Sequence, residues 1–345
     1  MPSGDLGVLA LRMVGATIAA LLAMVAFAPN ALADAAGPTD YNTEIVSVEP
    51  ANTPIEVEMI GGDAFLSVTQ LEPVEIIVLG YRAEPYLRFA PDGTVYENRR
   101  SPAVWQNEDR YGTEQELPSF VDHEARPEWS EVASGGVYAW HDHRSHWMQP
   151  QPPPSSEPGD QVIESVVPLR IDGTEVSITV ASFLLAPPSN LPAVGGLALA
   201  LAAVAATWNK ARLARALVGL LAAGAAGLLG TIAFSSVPAV TGPSPMLWLL
   251  PAVAGAALLL MVVLRRRLAT TVYLDGLIVA AGAALAGWAF TRIDALQRSL
   301  IPTTAPESLD RFVIALCFVV GLLLAATGIY GLLRPQRLQP IGRGT

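Results

Sequence analysis

With 345 residues the chain is long enough for more than one domain, and its 31 Asp plus Glu outnumber its 21 Lys plus Arg. The imbalance is uneven: residues 34–190 hold 26 acids against 8 Arg and no Lys, whereas residues 191–345 hold four acids, twelve basic residues and long runs of Ala, Leu, Val and Gly. An acidic half of this kind repels polyphosphate and attracts cations, which argues against nucleic acid as a partner, and the single cysteine, Cys317, excludes an intrachain disulfide.

Taken in chain order, the first signal is one of export. Arg12 precedes an apolar stretch over residues 13–28, followed by Pro29 and the small-residue site Ala31-Leu32-Ala33. A basic start, a short apolar core and an A-x-A site are what a secretory signal needs. Cleavage is expected after Ala33, so that residues 1–33 are a signal peptide and Asp34 is the mature N-terminus. An uncleaved anchor is the alternative, and either one leaves the acidic domain outside. No cysteine stands at the cleavage site to make a lipoprotein.

Residues 34–190 read as an all-β extracytoplasmic domain. Strand-like runs recur at 44–48, 55–59, 64–68, 74–81, 86–90, 94–97, 136–143, 162–171 and 175–184, and no segment among them shows a 3.6-residue apolar period. Asp172-Gly173 between the last two is a hairpin signal, and Pro91-Asp92-Gly93 marks another turn. Seven to nine short strands in this length predict an immunoglobulin-like sandwich, with a cupredoxin-like barrel as the near alternative. The stretch 98–129 is poorest in strand signal and is expected to cross between the sheets as a long loop. It carries Asn107, Arg110 and His123, and long loops on rigid sandwiches often hold functional residues.

Residues 191–345 predict an α-helical bundle of five transmembrane helices, at about 191–208, 213–234, 246–264, 268–290 and 312–333, each near the ~20 residues that span a bilayer. The connections fix the direction. Lys210, Arg212 and Arg215 follow the first span, Arg265, Arg266 and Arg267 the third, and Arg334, Arg337 and Arg343 the last. With the acidic domain outside, these three basic segments fall on the cytoplasmic side, as the positive-inside rule asks, and so does the C-terminus. Gly224, Gly227 and Gly230 suit a tightly packed bundle. Asp275, the only acid within a span, is expected to pair with nearby arginines; the competing reading is an ion or proton pathway, which rests on this one group.

Chemistry concentrates in Trp140-His141-Asp142-His143-Arg144-Ser145-His146-Trp147-Met148, which holds three of the four histidines. On a strand over 137–144, His141 and His143 would share one face. His146 and Met148 would curl back from the next loop, and His123 would arrive from the long crossover. Imidazole suits zinc and copper, and an added thioether tilts the choice towards copper. Asp142, Asp122 or Glu124 could orient a ring from outside the ligand set. The plainer reading makes Asp142 and Arg144 a buried ion pair, Trp140 and Trp147 core residues, and the histidines members of a polar network. The chain then would be an interaction module docking another envelope protein. No nucleophile motif or phosphate loop points to an enzyme. The cluster's height is left open: the Pro-rich linker 149–160 can place it beside the bilayer or at the far tip.

Gly80-Tyr81, Glu84-Pro85-Tyr86-Leu87-Arg88-Phe89, Ser101-Pro102-Ala103, Arg110-Tyr111-Gly112 and the Trp140–Met148 motif resemble a family of exported bacterial, actinobacterial-type multi-span membrane proteins. The resemblance covers the acidic domain and the general layout of spans. It implies a copper context, beside exported copper-handling proteins of the CopC and YcnI kinds. Those carriers use a histidine at the mature N-terminus, and Asp34-Ala35-Ala36 offers none. The combined expectation is a copper-binding protein of the bacterial plasma membrane, with zinc as the second metal, working in delivery, storage or sensing through His141, His143, His146, Met148 and His123.

Overall fold

The computed structural model describes residues 36–108, 110–111, 116–149, 151–207, 212–265 and 272–334. The expected export signal with its cleavage site, and the basic residues Lys210, Arg266, Arg267, Arg337 and Arg343, lie outside the described residues. An N-terminal two-sheet β region is followed by a C-terminal helical bundle.

The larger sheet has seven strands in the order β1 (Tyr41–Glu49), β10 (Thr174–Leu184), β9 (Gln161–Ile171), β4 (Ile76–Leu79), β5 (Pro85–Phe89), β6 (Val95–Asn98) and β7 (Trp129–Ala133). The smaller has three: β2 (Ile55–Ile60), β3 (Phe65–Gln70) and β8 (Val137–Trp140). Alternation builds the core between them. Val176, Ile178 and Val180 of β10 point inwards with Val167, Leu169, Ile76, Val78, Leu87 and Phe89, and they meet Leu66, Val68 and Trp140 of the smaller sheet. The β9–β10 hairpin turns on Asp172 and Gly173, whose φ of 46° and 81° are what a two-residue primed turn demands.

Two expectations need correction. The long segment after β6 does not cross between sheets, because β7 pairs antiparallel with β6 itself. The segment leaves the sheet edge, forms the short helix α1 (Pro102–Gln106) with Ser101 as N-cap, and returns. Nor does the histidine strand run to Arg144: it stops at Trp140. There the Asp142 carboxylate accepts the Arg144 backbone N–H at 3.0 Å, and the Ser145 N–H closes a turn on the Asp142 carbonyl at 2.9 Å. An aspartate that can satisfy the backbone locally ends the ladder.

The bundle comprises α2 (Leu191–Thr207), α3 (Arg212–Ser235), α4 (Met246–Leu264), α5 (Val272–Thr291) and α6 (Glu307–Leu333). Among the described residues, α3 to α6 are long and apolar enough to cross a membrane, and α2 is an apolar helix of 17 residues. Glycine sets how closely they pack. A Cβ on Gly282 of α5 would stand 2.4 Å from the Ala325 backbone nitrogen, and one on Gly321 of α6 would stand 2.5 Å from that of Ala286. The neighbour at each position is backbone that cannot turn aside. Gly321→Val is therefore expected to reach the upper end of the ~1–3 kcal/mol typical of overpacking; a thermal melt of the detergent-solubilised chain at the wild-type temperature would show that α5 and α6 do not meet this way. Asp275 is bound in bidentate fashion by Arg212, Nε to Oδ1 at 2.8 Å and Nη2 to Oδ2 at 3.0 Å. That pairing accounts for the carboxylate without a pathway.

The β region stands on the bundle through named contacts. Thr39 and Leu300 exchange backbone hydrogen bonds at 3.0 and 2.8 Å, and Asp40 accepts from Arg298 at 2.6 Å and from the Ser299 N–H at 2.9 Å. Arg311, near the start of α6, holds this loop by donating to the carbonyls of Ala295, Arg298 and Ser299. Strand β8 also packs against the 3-10 turn Ala239–Thr241 between α3 and α4. Arg212, Arg215, Arg265 and Arg334 thus lie at or just beyond the helix ends away from the β region.

Candidate metal centre

The turn that ends β8 gathers the histidines. Asp142 is fully buried and ion-paired with Arg144, Nε to Oδ1 at 2.8 Å and Nη2 to Oδ2 at 2.7 Å. Trp140 Nε1 donates to the same carboxylate at 3.0 Å. Burial alone would raise the Asp142 pKa, but the Arg144 guanidinium and these hydrogen bonds override it and hold the carboxyl below its usual range. The turn is tied outwards as well. Arg144 donates to the Leu79 carbonyl at 3.1 Å, Thr43 to the Ser145 carbonyl at 2.7 Å, and Ser165 to the Arg144 carbonyl. Both the ion pair and the buried Trp140 of the plainer reading are present, and they serve as the scaffold of the histidine turn.

On that scaffold His141, His143 and His146 each offer a ring nitrogen, and the three lie within 4.8 Å of one another. The ring centroids of His141 and His146 are 4.4 Å apart, and each is 5.6 Å from that of His143. A tetrahedral metal with bonds of about 2.0–2.1 Å needs ligand nitrogens roughly 3.3 Å apart, so each ring has to move by at most about an ångström to close the set.

Tautomers follow from the neighbours. Nδ1 of His141 lies 2.8 Å from the Ala64 carbonyl, and Nδ1 of His146 lies 3.1 Å from the Trp147 carbonyl. A carbonyl only accepts, so both Nδ1 atoms carry the proton and both Nε2 atoms carry a lone pair. Both Nε2 atoms are buried and have no hydrogen-bond partner among the described residues. A buried unsatisfied acceptor costs about 1–3 kcal/mol. Two of them on adjacent rings form an arrangement that a cation would relieve. Fixing one ring nitrogen on a carbonyl so that the other faces a metal is how ligating imidazoles are commonly oriented.

His143 is held differently. Its ring stacks on Tyr81 at 6.0 Å, and its backbone N–H donates to the Tyr81 hydroxyl at 3.0 Å. That hydroxyl donates in turn to Asn107 Oδ1, and Asn107 Nδ2 donates to the Tyr86 hydroxyl at 3.2 Å. Burial, reinforced by Asp142, pushes the Tyr81 pKa up, so the phenol keeps its proton. The long segment after β6 therefore contributes to the site through Asn107, the C-cap of α1, as a prop. His123 is outside the converged set; its Nε2 faces the Glu124 carboxylate at 4.0 Å on the surface of that segment. Met148 is half-buried two residues past His146.

Burial pushes the His141 pKa down to about 4 and the His146 pKa down to about 2, with Arg110 adding to both and the carbonyl hydrogen bonds opposing. Both imidazoles are neutral at neutral pH, the form that ligates. The unfolded chain binds protons at these rings from its ordinary value of 6.5 downwards, while the folded chain does not. The stability they contribute is complete above pH 6.5 and is lost as pH falls, towards about 4 for His141 and further for His146. The metal-free chain is expected to lose on the order of 1 kcal/mol per pH unit for each ring below pH 6. A melting temperature that does not change between pH 7 and pH 5 would refute the buried neutral pair.

Sequence alone points to the three histidines but gives Tyr81 and Asn107 no role beside them and does not reach the Ala64 carbonyl. A buried tyrosine with a polar partner leaves some trace in a Gly-Tyr turn, whereas a backbone carbonyl leaves none. The cluster's height is resolved by its neighbours: Ser165, near the start of β9, donates to the Arg144 carbonyl, and β8 packs against the Ala239–Thr241 turn of the bundle. The site lies at the end of the β region that faces the bundle. No protein-family model matches this sequence, and neither a curated protein nor a solved structure matches it at a significant level.

Proposed function

We propose that this chain is a five-span protein of a bacterial plasma membrane whose β domain lies outside and binds a transition-metal ion, copper ahead of zinc, through His141, His143 and His146. Its task is storage, delivery or sensing. The observation that carries this reading is the pair of buried Nε2 atoms, without a hydrogen-bond partner among the described residues, on rings 4.4 Å apart. Three imidazoles leave a fourth position open. A thioether from Met148 would complete a softer set that favours copper(I), whereas water or an exogenous ligand there would suit copper(II) or zinc.

The membrane reading draws on the four long apolar helices, with α2 counted as the first of five crossings. At 1.5 Å per residue its 17 residues extend about 25 Å, close to the hydrocarbon thickness. The basic residues at the end of the bundle away from the β region support a cytoplasmic assignment of that end, as the positive-inside rule asks. The acidic domain, the export signal at residues 1–33 and the immunoglobulin-like reading of the two sheets all fit an outward module. Exported copper-handling proteins are the partners that this role calls for.

Equilibrium dialysis of the metal-stripped full-length chain in detergent tests the reading. One equivalent of copper should bind, and copper should displace zinc. Failure to take up either metal at micromolar concentration would leave the histidine turn a structural corner and favour the interaction-module reading.

A further inference from the structure

Helix α2 packs chiefly on α6 and touches α3 only slightly, which leaves a crevice at the end of the bundle away from the β region. Val204 of α2, Val218 of α3 and Leu323 and Leu324 of α6 line it. Among the residues that line it, one is charged: Arg215, in the first turn of α3, whose Nε is buried with no hydrogen-bond partner among the described residues. Of the other arginines described at this end, Arg265 is the C-cap of α4 and does not line the crevice, and two have side-chain partners. Arg212 is spent on Asp275, and Arg334 bonds the Tyr330 hydroxyl at 2.7 Å and stacks over its ring. The threonines beside the crevice, Thr207 and Thr327, donate their hydroxyls to carbonyls of their own helices.

We propose that this crevice is a binding site for one anionic phospholipid, with its phosphate on Arg215 and an acyl chain between α2, α3 and α6. A guanidinium with an unsatisfied buried N–H, placed within a turn of the membrane face, matches a phosphodiester by charge and by hydrogen-bond geometry. The apolar walls match an acyl chain and offer nothing to a free anion. Basic pockets between helices on the cytoplasmic side are where anionic headgroups are commonly held. The lipid would fill the gap between α2 and α3 and so fasten the helix that joins the β domain to the bundle. This inference is independent of any metal.

Delipidated full-length chain in detergent, titrated with dioleoylphosphatidylglycerol or dioleoylphosphatidylcholine and read by native mass spectrometry, provides the test. The anionic lipid should bind about fivefold more tightly, the equivalent of one basic contact near the surface. The preference should disappear in Arg215→Gln and survive in Arg215→Lys and in Arg334→Gln. If Arg215→Gln does not purify, Val218→Trp takes its place, since an indole across the crevice should block the anionic lipid. Equal binding of the two lipids by the wild type overturns the proposal, as does a preference that persists in Arg215→Gln or Val218→Trp. Displacement of the anionic lipid by millimolar inorganic phosphate overturns it too, because that would make the site one for a free anion.

Discussion

Replacing His141 and His143 together with alanine is expected to abolish stoichiometric metal uptake while leaving the chain folded. Removing two of three imidazoles leaves His146 as the one remaining nitrogen donor of the cluster. The loss should exceed by a wide margin the ~10–100-fold that an outer-sphere change costs. Tyr81→Phe supplies that comparison. It deletes the hydroxyl that accepts the His143 N–H and donates to Asn107, but keeps the ring on which His143 stacks. A loss within the outer-sphere range is expected there, with one equivalent still bound at saturation. Dialysis separates this from a purely structural role. If the histidines only hold the turn, the double variant melts at a lower temperature, and wild type and variant bind equally little metal. If they are ligands, added copper raises the wild-type melting temperature and leaves the variant's unchanged.

Much of the scaffold was legible because alternation has a period that burial imposes. Ile76, Val78, Val176, Ile178 and Val180 mark their strands, and Asp172-Gly173 marks the hairpin. What failed did so for local reasons. Strand β7 (Trp129–Ala133) is short, lies at the edge of the larger sheet and is followed by Gly135 and Gly136, so its signal is weak. The end of β8 was misplaced because Tyr138, Trp140, Asp142 and Arg144 keep a period of two past the point where pairing stops. The side chain of Asp142 decides that point, and periodicity does not register a side chain that bonds its own backbone. The histidines therefore converge by a different route from the one the pattern suggested: three rings around a turn, where a flat strand would have set two side by side. The carbonyls of Ala64 and Trp147 that fix the tautomers belong to no residue type. That part of the site could not be read from side chains.

The same turn supports the second large prediction. Asp142 accepts from three donors: the Arg144 guanidinium, the Arg144 backbone N–H and Trp140 Nε1. In Asp142→Ala the guanidinium, with its side chain 15% exposed, keeps its charge and loses its counter-ion. Breaking a buried pair from one side costs about 3–5 kcal/mol, a large part of the roughly 5–15 kcal/mol that holds a domain together. For a β region of this size the melting temperature should fall by roughly 10 °C. Asp142→Asn should fall less, because its side-chain oxygen can still accept the Arg144 N–H and keep the turn while the charge is lost. Replacing both partners by leucine removes the uncompensated charge and should recover part of the stability, but it cannot restore the turn. Metal uptake therefore tracks the turn and not the melting temperature: retained in weakened form in Asp142→Asn, and lost in the double leucine variant even where that variant is the more stable of the two. Equal uptake by these two variants would mean that the histidines converge without Asp142. No coupling would then run from this one buried carboxylate to the geometry of the three imidazoles.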